Sequence, residues 1–173
     1  MFTSRVEQIM KLFNSKYVIK FFIILLIFLF DRLTKINVLN FFENNQLEEI
    51  YVRSFFNIYL IWNKGIAFGL LNFDDQLVYN LITVIIAVVS LIILFFAFRI
   101  KDYKGYFFTI IFGGAIGNFY DRMVFRAVPD FIDFHINNYH WFIFNVADIF
   151  VTLGVICLIL DELFVKKKVN EKN

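Results

Sequence analysis

The run Leu77–Phe98 holds 22 residues in which only Tyr79, Asn80, Thr83 and Ser90 carry a polar group. At ~1.5 Å of rise per residue a helix of that length spans ~33 Å, enough to cross a bilayer. In hydrocarbon every backbone N–H and C=O must be satisfied within the segment, so helix is the form such a run takes. Three further apolar segments accompany it. They are Tyr17–Phe30, continuing past Asp31 towards Val38; a stretch from near Tyr106 through Gly113, Gly114 and Gly117 to about Ala127; and Trp141 to about Val165. Of the 173 residues 60% are hydrophobic, where a soluble domain has roughly 45–50%. The expectation is an all-α membrane protein forming a single polytopic domain over residues 1–173. Its transmembrane helices are expected at about 17–37, 77–98, 106–127 and 141–165.

Lysine and arginine placement orients these spans. The N-terminal stretch carries Arg5, Lys11, Lys16 and Lys20, Arg99, Lys101 and Lys104 join the second to the third, and Lys166, Lys167, Lys168 and Lys172 follow the fourth. The first loop, Asn40–Gln76, has only Arg53 and Lys64 against Glu43, Glu48, Glu49, Asp74 and Asp75. By the positive-inside rule both termini are cytoplasmic and the first and third loops lie outside. No A-x-A site follows the first apolar segment, which reads FLFDRLTK, so it is expected to stay as an anchor. The long outer loop, about 40–76, contains Phe55–Phe68 (FFNIYLIWNKGIAF), rich in strand-forming residues with a turn signal at NKG. A small outer sheet or cap resting partly on the membrane is expected there. Phe73–Gln76 should form the N-cap region of the second helix. The lone Cys157 reads as packing, and no basic patch suggests nucleic acid.

Into this apolar background the chain places acids. Asp148 lies inside Trp141–Leu160, and a carboxylate at the bilayer centre costs at least about 2.5–3.5 kcal/mol. It is expected about 10 Å below the outer helix end, seven residues on from Trp141. Asn145 shares its helix face, as Asn118, Asp121 and Arg122 share one on the third helix. The short loop from Asp130 to Trp141 makes the third and fourth helices antiparallel neighbours, so Asp130 and Asp148 can meet near the outer boundary. Two close carboxylates share a proton. One can then serve as base for water while the other donates to a carbonyl oxygen. Plainer readings stand beside this one. Asp148 could be the partner of Arg122 or Asn118, Asp130 and Asp133 loop acids, Asp31–Lys35 a helix salt bridge, and Asn63 a turn residue. His135 and His140 read as loop or interface residues, without metal-ligand spacing. An ion-coupled transporter and a non-enzymatic assembly factor remain open as function classes, although no inverted repeat supports the first.

Five tracts in order resemble the lipoprotein signal peptidase (signal peptidase II) family, over about Tyr17–Val165. They are Asp31-Arg32-Leu33-Thr34-Lys35, Asn63-Lys64-Gly65-Ile66-Ala67-Phe68, Gly113-Gly114-Ala115-Ile116-Gly117-Asn118-Phe119-Tyr120-Asp121-Arg122, Val128-Pro129-Asp130-Phe131 and Phe144-Asn145-Val146-Ala147-Asp148. The resemblance implies an aspartyl endopeptidase of the bacterial cytoplasmic membrane with Asp130 and Asp148 as catalytic dyad. Asp31, Lys35, Asn63, Gly65, Asn118, Asp121, Arg122 and Asn145 would support substrate binding or the shape of the site. It also implies an extracytoplasmic β-cradle and a short helix between the first two spans. The substrates would be diacylglyceryl-modified prolipoproteins, cleaved N-terminal to the lipidated cysteine. Membrane lipid is the other partner, globomycin-type peptide antibiotics would inhibit, no metal or other cofactor is needed, and the protein would be a monomer. Two departures stand out. Arg32 replaces the usual Gln, and Pro129 directly precedes Asp130, where it is expected to end the third helix.

Overall fold

A computed structural model describes residues 15–47, 49–65, 76–136 and 139–170. Among these residues there are four helices and four strands. The helices are α1 (Ser15–Asn45), α2 (Gln76–Arg99), α3 (Lys104–Phe125) and α4 (Val146–Asn170). The strands are β1 (Glu49–Arg53), β2 (Phe56–Asn63), β3 (Val128–Ile136) and β4 (Tyr139–Phe144). Successive helices run in opposite directions. Near the start of α1, Lys20 Nζ donates to the carbonyls of Ala97 (2.5 Å) and Ile100 (3.0 Å) at the end of α2. A cation there satisfies carbonyls that have no partner within their own helix. At the same end Lys104, opening α3, pairs with Asp161 of α4 at 2.6 Å. At the opposite end, beside the sheet, Tyr79 of α2 donates to the carbonyl of Arg122 in α3 at 3.0 Å.

The polarity of this bundle is inverted relative to a soluble one. Asp31, Lys35 and Asp121 are fully buried, while Leu26, Leu77, Leu91, Phe95 and Phe164 are 60% or more exposed. Contiguous apolar surface on this scale needs an apolar partner. Among the described residues α2 is the helix long and apolar enough to cross a membrane, with a mean hydropathy of 3.2 over its most apolar window. The other helices carry internal charges: Lys20, Asp31, Arg32 and Lys35 in α1, Asp121 and Arg122 in α3, Asp148 and Asp161 in α4.

Helix α3 packs against each of the other three, and its glycines set how closely. A Cβ at Gly113 would meet Ile27 of α1 at 3.0 Å, and one at Gly114 would press into the Ala147 backbone of α4. Small residues at such crossings let backbones approach and gain dispersion contacts.

The sheet is antiparallel, in the order β1-β2-β3-β4. Ser54 and Phe55 turn the β1–β2 hairpin, and β2 then pairs with the distant β3 in a register that sets Ile61 opposite Asp130 and Asn63 opposite Val128. Phe56, Phe134 and Phe144 stack across β2, β3 and β4, with ring centroids 5.3 and 5.9 Å apart.

The structure corrects several expectations. The fourth helix starts at Val146, not Trp141, because Tyr139–Phe144 pairs with β3. Asp148 therefore sits in the first turn of α4 and not two turns inside it. The third helix ends at Phe125, before Pro129; Arg126 closes it in the left-handed region (φ 56°), its N–H on the Arg122 carbonyl at 3.2 Å. Pro129 belongs to a strand, opposite Trp62. Helix α1 continues to Asn45. Asp133 is a fully buried strand residue, its carboxylate 3.4 Å from the buried His135 ring. Among the described residues no short helix lies between α1 and α2, and of the expected cap region Phe73–Gln76 only Gln76 is described, as the first residue of α2.

Gly114→Val should overpack the α3–α4 crossing and cost about 1–3 kcal/mol. A thermal melt in detergent should show a lowered midpoint, whereas Leu91→Val on the outward face of α2 should leave it unchanged.

Candidate active site

The start of α4 organises the polar residues. Asn145 is its N-cap: its side-chain Oδ1 accepts from the Asp148 N–H at 3.1 Å, while Asp148 Oδ2 accepts from the Asn145 N–H at 3.1 Å. This reciprocal capping box satisfies two otherwise unpaired donors and fixes both side chains. The side-chain Nδ2 of Asn145 donates to Asp130 Oδ1 at 2.6 Å. One residue thus caps the helix and joins the two aspartates. Asp130 is brought there by β3, and its other oxygen accepts from Asn63 Nδ2 of β2 at 2.9 Å. The other oxygen of Asp148, Oδ1, accepts from Asn118 Nδ2 of α3 at 2.7 Å.

Two supporting groups flank this pair. On one side Asn63 Oδ1 accepts from the Gly65 N–H (2.9 Å), and Arg122 donates to the Gly65 carbonyl (2.6 Å), so both backbone groups of Gly65 are held. On the other side lies a buried ion cluster. Lys35 Nζ donates to Asp31 (3.0 Å), Asp121 (2.7 Å) and Asn118 Oδ1 (2.8 Å). Asp31 reaches across to accept from the Ala147 N–H in the first turn of α4 at 3.0 Å. Its Oδ2 sits where a Cβ on Gly117 would be, 2.6 Å away, so only glycine lets α3 pass at that point.

All ten residues singled out from the sequence are therefore linked, but not at one spot. Asp130, Asp148, Asn63, Asn118 and Arg122 line a cavity of about 340 Å³ between α2, α3 and α4. Asp31, Lys35, Asp121 and Asn145 are buried outside its lining, and Gly65 is joined to it through Asn63 and Arg122. The cavity walls away from the sheet are apolar, with Ile86, Val89 and Ile93 of α2, Ile111 of α3 and Val151 of α4. Over the eleven residues from Ile111 to Arg122 it descends ~16 Å from the polar end. Such a cavity suits an elongated apolar group carrying a polar head. Sequence reasoning missed Tyr79, which holds the Arg122 backbone, and Ser90, whose side chain borders the deep end of the cavity. A hydroxyl within an otherwise apolar run was their one signal. Among the described residues no group of three or more His, Cys, Asp or Glu could hold a metal ion.

Both carboxyl groups are buried, Asp130 on the sheet and Asp148 at the head of α4. Asp130 is 2% exposed. Burial and the nearby Asp148 push its carboxyl from the ordinary 3.8 up to about 7, against the lowering effect of the Asn63 and Asn145 donors. Asp148 sits in the first turn of α4 and accepts from the Asn145 N–H and from Asn118 Nδ2. The Arg122 guanidinium balances one negative charge on the pair.

The model of signal peptidase (SPase) II matches residues 23–164. The chain is 54% identical to the lipoprotein signal peptidase of Pelagibacter ubique over 152 residues, 87% of this chain and 92% of that one. It is 40% identical to that of Francisella tularensis subsp. novicida over 155 residues, 87% and 95% of the two chains. Two solved structures of bacterial membrane enzymes resemble the fold. One has a TM-score of 0.64 at 32% identity, over 91% of this chain and 92% of that one. The other has 0.65 at 29%, over 88% and 95%.

The raised Asp130 group carries a linkage consequence. The folded state holds this proton more tightly than the unfolded chain, so its stabilising contribution is full below pH ~4 and is lost as pH rises through about 7. Carbon NMR of aspartate carboxyls should show one group titrating near pH 7 that disappears in Asp130→Asn. Titration of Asp130 near its ordinary value would contradict the described burial.

Proposed function

The chain belongs to the signal peptidase II family, a family of peptidases of the bacterial membrane, and we propose that it removes signal peptides from diacylglyceryl-modified prolipoproteins by aspartyl catalysis. The observation that carries this reading is the pair of buried carboxylates at the head of an apolar cavity, joined through Asn145. The scissile bond is the amide N-terminal to the lipidated cysteine. Lipid chains would hold that cysteine at the membrane boundary, and the carboxylates lie where the helices meet the sheet.

In the proposed reaction Asp148 carries the charge and Asp130 the proton. Asp148 takes a proton from water as the water oxygen bonds to the scissile carbonyl carbon, and Asp130 donates its proton to the carbonyl oxygen. The resulting tetrahedral diol collapses. The C–N bond breaks, the proton on Asp148 passes to the leaving cysteine nitrogen, and a diol hydroxyl returns a proton to Asp130. No covalent enzyme intermediate forms. Asn63, Asn145 and Asn118 hold the carboxylates in place, and Arg122 holds the Gly65 carbonyl. A pair holding one proton beside Arg122 is electrically neutral, and neutrality is what an apolar surrounding demands.

The four helices are proposed to span the membrane as one domain, with the sheet outside and both termini cytoplasmic. The exposed apolar side chains around the bundle and the Arg99, Lys101 and Lys104 loop at the end away from the sheet support this orientation. Globomycin-type peptide antibiotics are proposed to occupy the cavity and inhibit.

The test is incubation of detergent-solubilised, monodisperse protein with a diacylglyceryl-modified precursor in the presence of a chelator. Cleavage should release the signal peptide. Asp130→Asn and Asp148→Asn should each lower kcat by about 10³-fold or more while leaving the melting profile folded. Undiminished cleavage by the double variant would rule out the dyad.

A further inference from the structure

Arg32 stands where the resembled pattern has glutamine, and the family resemblance assigns it no role. Its guanidinium grips both oxygens of Asp121, at 2.5 Å from Nη1 and 2.7 Å from Nη2, and Nη2 also reaches Asp31 Oδ2 at 2.8 Å. The rings of Tyr120 and Phe28 lie 4.9 and 6.0 Å from its Cζ, closing it off from the apolar exterior and contributing cation–π attraction. A planar fork with delocalised charge suits this position.

The charges around it balance. Asp31 and Asp121, both fully buried, carry two negative charges; Arg32 and the buried Lys35 carry two positive ones. With an uncharged residue at position 32 the same enclosure would hold two carboxylates and one ammonium. Lys35 has three N–H donors, and all are engaged, on Asp31, Asp121 and Asn118 Oδ1. The first two acceptors are charged and the third is a neutral amide. If Asp121 lost its guanidinium, the carboxylates would compete for the ammonium, and the bond to Asn118 is the weakest of the three. That bond orients the Asn118 amide so that Nδ2 points at Asp148.

We infer that Arg32 is a positioning residue. It neutralises the buried Asp31–Asp121 pair and so leaves Lys35 free to hold the Asn118 amide on Asp148. The groups facing this relay are Asp31 and Lys35 from α1, Asp121, Tyr120 and Asn118 from α3, and the Ala147 N–H and Asp148 from α4. Arg122 and Asp130 lie beyond it. The kinetic side of the inference rests on the proposed hydrolysis.

The test compares wild type, Arg32→Gln and Arg32→Lys in detergent, below each variant's melting temperature. With a diacylglyceryl-modified precursor peptide, Arg32→Gln should lower kcat by about tenfold or more and leave KM within about twofold. Arg32→Lys restores the charge without the fork and should recover most of kcat even where its melting point stays lowered. The second readout needs no turnover. The ¹⁵N side-chain amide resonance of Asn118 should shift in Arg32→Gln and return in Arg32→Lys. Wild-type kcat in Arg32→Gln, or an Asn118 resonance unchanged in it, would overturn the inference. So would an Arg32→Lys variant as impaired as Arg32→Gln. If wild type cleaved nothing, the proposed function would fail, and the resonance would still decide the role of Arg32.

Discussion

The bond from the Ala147 N–H to Asp31, 3.0 Å long, is the contact on which the remaining structure leans. The first turn of any helix has N–H groups without partners in the helix, and the residues that open α4 are buried. Asn145 and Asp148 satisfy two of these donors from within; Asp31 supplies a third acceptor from α1. A fully buried acceptor of this kind is tolerable only with compensating cations, which Lys35 and Arg32 provide. Those cations draw in Asp121 and, through it, α3. Gly117 must then be glycine, since Asp31 occupies the space of its side chain. Helix capping, charge balance and helix crossing are one arrangement here.

The same arrangement gives the two aspartates different supports. Asp148 belongs to the helix and its cap, and is surrounded by fixed donors. Asp130 comes from the sheet, is buried against Asp148, and has a carboxyl held near 7. Two like groups with unlike supports are what acid–base division of labour requires. The bundle supplies one group and the sheet the other. The register of β2 against β3 therefore belongs to the site as much as the helices do.

Much of this was legible in the sequence. The apolar runs marked the helices, and spacings of three and four residues grouped Asn118 with Asp121 and Arg122, and Asn145 with Asp148. The start of the fourth helix was misplaced because Trp141–Phe144 is as apolar as the helix it precedes. Its aromatic and β-branched content fits a strand, and Asn-x-x-Asp at Asn145–Asp148 is a capping box that marks the true boundary. The buried setting of Asp133 and the joining of the ion cluster to Asp148 were not legible. Both depend on side chains drawn together from distant segments: β2 against β3, and α1 against α3 and α4. The role of Arg32 was hidden for the same reason. Its partner Asp121 lies 89 residues away.

The proposed hydrolysis requires Asp130 and Asp148 to act together on one reacting oxygen. The direct measurement is an experimental structure with a lipidated peptide analogue bearing a secondary hydroxyl in place of the scissile carbonyl. The expected result is that hydroxyl lying between the two carboxylates, about 2.6–3.2 Å from an oxygen of each. A hydroxyl engaged by only one of them, with the carboxyl groups more than about 8 Å apart, would put a shared water out of reach of one of them and would contradict the mechanism.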